Sequence, residues 1–560
     1  MTRHLHAWAD RAYGRPSFAS QPAQAIAKSN GSLAAWQQLF ASSGVRAPAA
    51  VSGPFAVATS LPDGRVFMAV DRFAIQSLCY RIDAGRLRVA ARADALADGG
   101  TALDPQALFD YLYFHVIPSP RTVFQGVFRL PPGHCAVFEN GQVRVAPYWT
   151  PSFEVPRGTP SFDALKEEFR GLLQQATANQ LDGGKAGCFL SGGTDSSTVA
   201  GMVGLAAGRP AATYSIGFEA EGYDEMAYAR LAAKHFGTEH HEHYVTPDDL
   251  VHSIADVAQH FDQPFGNSSA VPAFYCARMA LQNGVTRILA GDGGDELFGG
   301  NSRYAKQRVF GVYDDMPGGL RGAMDLAYKL PGLASAPLLK KGASYIEQAK
   351  VPMPDRLQTY NLLQRLGMAA VLTPQFLAQI NTGAPQAQQR AVWALPPAAG
   401  LLDRQLAFDW RYTLAENDLP KVCGTTGLAG IEVGFPMLDQ GLLEFSMRLP
   451  THYKLKGLKL RWFFKEALRG FLPDEIINKR KQGFGLPFGV WAVRHAALNQ
   501  LARDSLGSLS TRGIVRADFI SALLDQRLAE HPGYYGEMVW ILMMLEQWLQ
   551  QHAPNHRVAG

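Results

Sequence analysis

A chain of 560 residues with 47% hydrophobic and 18% charged residues has the ordinary composition of a soluble globular protein, long enough for two or more domains. Its formal net charge of +4, without a long basic run, gives no sign of a surface built for nucleic acid or membrane. Five widely spaced cysteines (Cys79, Cys135, Cys188, Cys276, Cys423) with no CxxC pair exclude a disulfide framework and a zinc knuckle.

The amino terminus has no apolar stretch of the signal-peptide kind, and no apolar run reaches the roughly 18 residues of a membrane helix, so a cytoplasmic location is expected. Residues 1 to about 50 are polar and Ala/Ser-rich, with a short helix predicted from Leu33 to Phe40 and Ser32 as its cap. From Gly53 the texture changes. FAVATSL, RVFMAVDR, SLCYRID and RLRVAAR read as antiparallel strands of alternating apolar and polar residues, separated by turns such as Pro62-Asp63-Gly64. PPGHCAVFENGQVRVAPYW continues the run, with a hairpin turn at Asn140-Gly141. Three prolines and a glycine between Pro151 and Pro160 mark a linker, giving domains over residues 1–150 and 161–560.

Beyond the linker, Ser161 to Gln180 has helical periodicity and Gly187 to Leu190 reads as a short buried strand. SGGTDSSTVAGMVGLAA follows as a loop opening a helix. AATYSIGF is the next strand, Asp224 to Phe236 the next helix, and TRILA (Thr286 to Ala290) a strand ending at GDGGDELFGG. This alternation predicts an α/β domain with a doubly wound parallel sheet, followed from Tyr304 onward by a mostly helical part. The apolar stretch Met538 to Leu549 reads as a core helix.

The segment Leu190-Ser191-Gly192-Gly193-Thr194-Asp195-Ser196-Ser197 carries the chemistry. Two glycines let the backbone approach an anion, and a helix start offers unpaired amides and a favourable dipole. Ser191, Ser196 and Ser197 add hydroxyls. A carboxylate repels phosphate, so Asp195 fits such a loop only if it holds Mg²⁺ that bridges to the phosphates. GxxxxGK[ST] is absent, which argues against kinase-like γ-phosphate transfer.

SGGTDSS resembles the pyrophosphate loop of the asparagine synthetase family and its N-type ATP-pyrophosphatase relatives. Tyr214-Ser215-Ile216-Gly217-Phe218 resembles the strand that meets adenine, which assigns Ile216 and Gly217 to ATP. Gly291-Asp292-Gly293-Gly294-Asp295-Glu296 resembles the second nucleotide and metal block. Tyr223-Asp224-Glu225, the run from Gly237 to Glu242, Asp262 to Ser269, Glu432 to Asp439, Lys456 to Arg461 and Lys481-Gln482-Gly483-Phe484 complete the likeness from about 160 to 550. The resemblance implies that Leu190 to Ser197 with Gly291 and Gly293 hold ATP and pyrophosphate, and that Asp195 and Asp295 hold Mg²⁺. It implies that Asp292 orients or deprotonates an attacking amine, and that Lys481 neutralises the α-phosphate and the developing oxyanion. His240, His241 and His243 lack helical HExxH spacing and read as structural.

Gly53 to Ala97 resembles the second half of the family's glutaminase domain, a mainly β fold of the N-terminal-nucleophile kind. The chain begins Met1-Thr2-Arg3-His4, without the family's N-terminal cysteine, and no glutamine-binding segments are visible in residues 1 to 50. The first domain therefore reads as a degenerate glutaminase. Ammonia or an amine would come free or from a separate donor protein, and a homodimer is among the assemblies the resemblance allows. Lys421-Val422 is followed by Cys423-Gly424, and Gly434 stands where the family has an arginine, so free aspartate is not the expected acceptor. The resulting expectation is a ligase that adenylates a small-molecule or peptide carboxylate and passes it to ammonia or an amine. A lasso-type macrolactam cyclase and a nucleotide-binding scaffold without activity are the alternatives. A tRNA-thiolating enzyme would need a reactive cysteine pair or a basic extension.

Overall fold

The apolar runs Phe55–Ser60 and Val66–Val70 pair antiparallel across the Pro62-Asp63-Gly64 turn, in the computed structural model that describes residues 10–314, 316–322, 345–397, 399–480 and 485–558. They are the centre of a five-stranded sheet ordered Arg11–Gly14, Phe55–Ser60, Val66–Val70, His134–Glu139 and Gln142–Pro147. Phe55, Val57 and Phe67 face Trp36 and Phe40 of the helix Ser32–Ser43. Ala56, Ala58, Met68 and Val70 face Leu78 and, from a three-stranded sheet, Tyr80, Leu87 and Val89. The central strands are thus buried on both faces. That is why they run nearly continuously apolar instead of alternating as the sequence reading expects. The Asn140-Gly141 hairpin forms with both residues at positive φ (52° and 77°). The helix Ser32–Ser43 is entered through Gly31 rather than capped by Ser32, and a second helix, Gln21–Asn30, precedes it with Ser20 as its cap.

In the second half, five parallel strands lie in the order Glu239–Val245, Ala212–Phe218, Ala186–Phe189, Arg287–Leu289, Glu432–Gly434. The helices Thr194–Ala207 and Met226–Phe236 cover one face through Val199, Val203 and Ala229. Ala270–Gln282 covers the other through Cys276, Ala277 and Ala280, which makes the sheet doubly wound. The fifth strand arrives from beyond the helical segment and has only three residues, too few for a periodicity signal. The helix Pro532–His552 is core, with Met538 to Leu549 buried on all sides. Among the described residues no helix is long and apolar enough to cross a membrane.

The antiparallel half packs on the parallel one through polar contacts that are buried or partly buried. Arg129 donates to Asp262 at 2.8 Å, the Ala93 amide donates to the same carboxylate at 2.8 Å, and Ser119 Oγ donates to Glu416 at 2.6 Å. Glu416 lies in a π-helical stretch, Trp410–Asp418, whose Trp410 ring stacks on Trp149 at 6.3 Å. Such wide-pitch turns recur beside functional sites, and this one leads directly to Lys421.

Candidate active site

Two glycine-rich loops leave the carboxyl ends of adjacent parallel strands, Ala186–Phe189 and Arg287–Leu289, and meet. This is the edge where open α/β sheets bind ligands. Their contact is backbone on backbone: a Cβ on Gly291 would fall 2.9 Å from the Asp195 carbonyl carbon and the Ser196 amide. Gly192 has φ +69° and a Cβ there would lie 2.4 Å from the Ala229 amide, so the first loop lies flat on the helix Met226–Phe236. Gly293 has φ +101° and a Cβ would lie 2.3 Å from Leu438. Gly293→Ala is expected to cost about 1–3 kcal/mol through strain and contact, seen as a lower melting temperature together with lost activity.

Gly193 is the N-cap of Thr194–Ala207 and has no side chain to cap the helix, which leaves the first-turn amides to an incoming anion. Ser191 and Ser196 hydroxyls lie 3.0 Å apart, and the Ser191 amide donates to Ser196 Oγ at 3.1 Å. Ser197 is fully buried, and its hydroxyl has no hydrogen-bond partner among the described residues. Ile216 and Gly217 lie on the neighbouring strand Ala212–Phe218, with the Tyr244 ring packed against Gly217.

Asp195 and Asp295 converge on one point, and that point is held by a side chain. Arg461 Nη1 donates to Asp195 Oδ2 at 2.6 Å, to Asp295 Oδ1 at 2.7 Å and to Thr194 Oγ1 at 2.9 Å, and its Nη2 donates to Asp195 Oδ1. The carboxylates reach this point only because Gly294 and Gly300 lack side chains: a Cβ on either would overlap a carboxylate oxygen. Two oxygen-donor carboxylates drawn to one cation suit Mg²⁺. The sequence reading paired Asp195 with Asp295 but gave no role to Arg461, which lies 266 positions from the first and 166 from the second. No local pattern reports a partner that distant.

Asp292 sits on the second loop and is half-buried. Burial pushes its carboxyl up to about 6; the nearby Lys421 ammonium pulls it down, and Asp418 and Asp195 push it up. Burial works against the charge on Lys421, but Asp418, 2.9 Å away, and Asp292 outweigh it and hold the ammonium protonated. Lys481 lies outside the described residues. Its near neighbour Lys479 reaches the first loop. Lys479 Nζ donates to the Gly192 carbonyl at 3.4 Å, pairs with Glu225 at 2.8 Å and lies over the Tyr228 ring at 4.5 Å. Lys479 was missed in the sequence because it reads as one of three adjacent basic residues.

Both glycines singled out near the carboxyl-terminal blocks, Gly424 and Gly434, are closely packed. A Cβ on Gly424 would lie 2.5 Å from the Phe261 ring, which stacks on Phe265 at 4.4 Å. Beside Gly434, Gln180 Oε1 stands 2.7 Å and Arg287 Nε 3.2 Å from a built Cβ. His240, His241 and His243 lie on the edge strand: His240 Nδ1 is 2.9 Å from Thr213 Oγ1, while His241 and His243 stack on Tyr214 and Tyr275.

A family model described as asparagine synthase matches residues 168–550, and one described as a glutamine amidotransferase domain matches residues 28–149. The chain is 24% identical over 494 residues to the glutamine-hydrolysing asparagine synthetase 1 of Bacillus subtilis (strain 168), covering 87% of this chain and 75% of that protein. It is 23% identical over 442 residues to asparagine synthetase 3 of the same organism, covering 75% and 64%. It is also similar to the amidase chyE of Penicillium rubens, at 28% over 499 residues, covering 79% and 71%. With its parallel sheet, its two converging loops and a family model that spans most of its length, the chain belongs to the asparagine synthase family.

Proposed function

We propose that the chain is an ATP-dependent amide-forming ligase that adenylates a carboxylate, transfers the acyl group to ammonia or an amine, and does not itself hydrolyse glutamine. The observation that carries the reading is the convergence of Asp195 and Asp295 beside an uncapped helix N-terminus at the carboxyl edge of the sheet. Family membership implies ATP-dependent amide ligation.

The chemistry follows in two steps. An oxygen of the substrate carboxylate bonds to the α-phosphorus of ATP; the bond from that phosphorus to the bridging oxygen breaks, and pyrophosphate leaves. The amine nitrogen then bonds to the activated carbonyl carbon, the carbon–oxygen bond to AMP breaks, and the amine proton passes to Asp292. Loop amides from Gly192 to Ser196 and the hydroxyls of Ser191 and Ser196 hold the leaving pyrophosphate. Asp195 and Asp295 would hold Mg²⁺, which supplies positive charge against the phosphates. Ile216, Gly217, Gly291 and Gly293 border the nucleotide. Burial, opposed by Lys421 and reinforced by Asp418, sets the protonation of Asp292, and Lys481 serves the α-phosphate.

Glutamine hydrolysis needs a nucleophile, and the described amino-terminal region offers no activated thiol. Burial pushes Cys79 up to about 11 and also raises Cys135, and neither is exposed. A thiol becomes a nucleophile when its environment lowers its pKa, the opposite of what surrounds these two. The remodelled surroundings of Gly424 and Gly434 favour an acceptor other than free aspartate.

The reading is tested by pyrophosphate release from ATP and Mg²⁺ over a panel of carboxylates, with ammonia or glutamine as the nitrogen source. Release that depends on a carboxylate, with ammonia active and glutamine inert, is expected. Activity with glutamine alone would overturn the assignment of the first domain, and silence with every acid, amine and peptide would overturn the ligase assignment.

A further inference from the structure

Arg461 is buried, at 4% exposure, and its guanidinium occupies the one place where the two loop carboxylates meet. Its backbone is left-handed (φ +54°, ψ 35°), an uncommon state for a residue with a side chain. It joins the two-stranded hairpin Leu455–Lys456 and Lys459–Leu460 to the helix Trp462–Ala467. The guanidinium carbon Cζ lies over the Phe464 ring, 3.9 Å from its centroid. Its Nε is buried without a hydrogen-bond partner among the described residues, although both terminal nitrogens are engaged. A buried arginine with a donor left over is held for the charge at its tip rather than for full hydrogen bonding.

Two cations cannot share this point. A divalent ion bound by Asp195 and Asp295 would sit within a few ångströms of the guanidinium, where like charges repel strongly in a screened-off site. Free metal must therefore break the ion pair and leave the buried Arg461 charge with only Thr194 Oγ1 and the Phe464 ring beside it, a costly exchange. Metal that arrives with nucleotide avoids that cost, because phosphate oxygens are acceptors that arginine binds well. Building on the assignment of Asp195 and Asp295 to Mg²⁺, we infer that Arg461 is a resident counter-cation that closes the two carboxylates to metal alone, so that divalent metal enters only together with nucleotide phosphates.

The test is metal binding, read without turnover. Mn²⁺ is titrated against the full chain by electron paramagnetic resonance, alone and with α,β-methylene-ATP, which binds but cannot release pyrophosphate. The native chain is expected to leave Mn²⁺ free until the analogue is added and then to take up site-bound metal that Asp295→Asn removes. Arg461→Gln is expected to bind Mn²⁺ without nucleotide at least about tenfold more tightly than the native chain, since the blocking charge is gone. Mg²⁺ should also raise the melting temperature of that variant more than that of the native chain, and Arg461→Lys should fall between. Native protein that binds Mn²⁺ alone at a site lost in Asp295→Asn overturns the inference, and so does Arg461→Gln binding no better than native. Should Arg461→Gln not fold, the native titration decides by itself. A native chain that binds no analogue with or without metal would sink the ligase reading, whereas analogue binding alongside nucleotide-independent metal would sink only the role of Arg461.

Discussion

Asp195→Asn is expected to cut carboxylate-dependent pyrophosphate release by about 10²–10³-fold, the scale of losing one group that stabilises charge in a transition state. Asparagine is the informative replacement. It keeps the size of the side chain and an oxygen that Arg461 Nη1 or Nη2 can still use, so the fold should survive. Alanine would strip a buried arginine of two of its acceptors, and the resulting loss of stability would be hard to separate from lost catalysis. Asp295→Asn should behave alike. The double variant should cost little more than either single one, because both carboxylates serve the same cation and their effects do not add. A pyrophosphate assay at saturating Mg²⁺, run beside a melting curve, gives the answer. Full activity in either single variant would remove that carboxylate from the site.

The parts of the site that a sequence states locally were legible. SGGTDSS and GDGGDE each follow a strand and open a helix, and both loops lie where a parallel sheet must put them. The sequence could not state which side chain fills the gap between them. Arg461 comes from a hairpin far along the chain, and its role depends on Gly294 and Gly300 clearing space for the carboxylates. Gly424 and Gly434 were likewise visible as glycines, but the close approach of Phe261 to the first and of Gln180 and Arg287 to the second is a matter of packing alone. In the fold, the helix Pro105–Phe114 went unrecognised for a physical reason. Ala107 to Tyr113 are all buried because the helix lies between the two halves of the molecule, so PQALFDYLYF has no polar face and no clear 3.6-residue period. The short strand Glu432–Gly434 was hidden by its length and by the helices before it.

Asp292→Asn should separate the two chemical steps. Carboxylate-dependent exchange of pyrophosphate into ATP needs only the adenylation step and should persist, while amide formation should slow by about 10²–10⁴-fold, the range for losing a general base. The pH dependence carries the sign. Asp292 accepts a proton only as the carboxylate, and its carboxyl is pushed up to about 6 by burial, with Lys421 opposing the rise. Amide formation should therefore be slow at pH 5, rise through pH values near 6 and level off above it, while pyrophosphate exchange lacks this limb. Lys421→Met removes the positive neighbour, raises the carboxyl further and should move the limb to higher pH; Asp418→Asn removes a negative neighbour and should act in the opposite direction on Asp292. Because Lys421 and Asp418 are themselves paired, the two shifts should partly cancel in the double variant. A limb that stays put in Lys421→Met would mean that another group takes the amine proton, whatever the activity of Asp292→Asn.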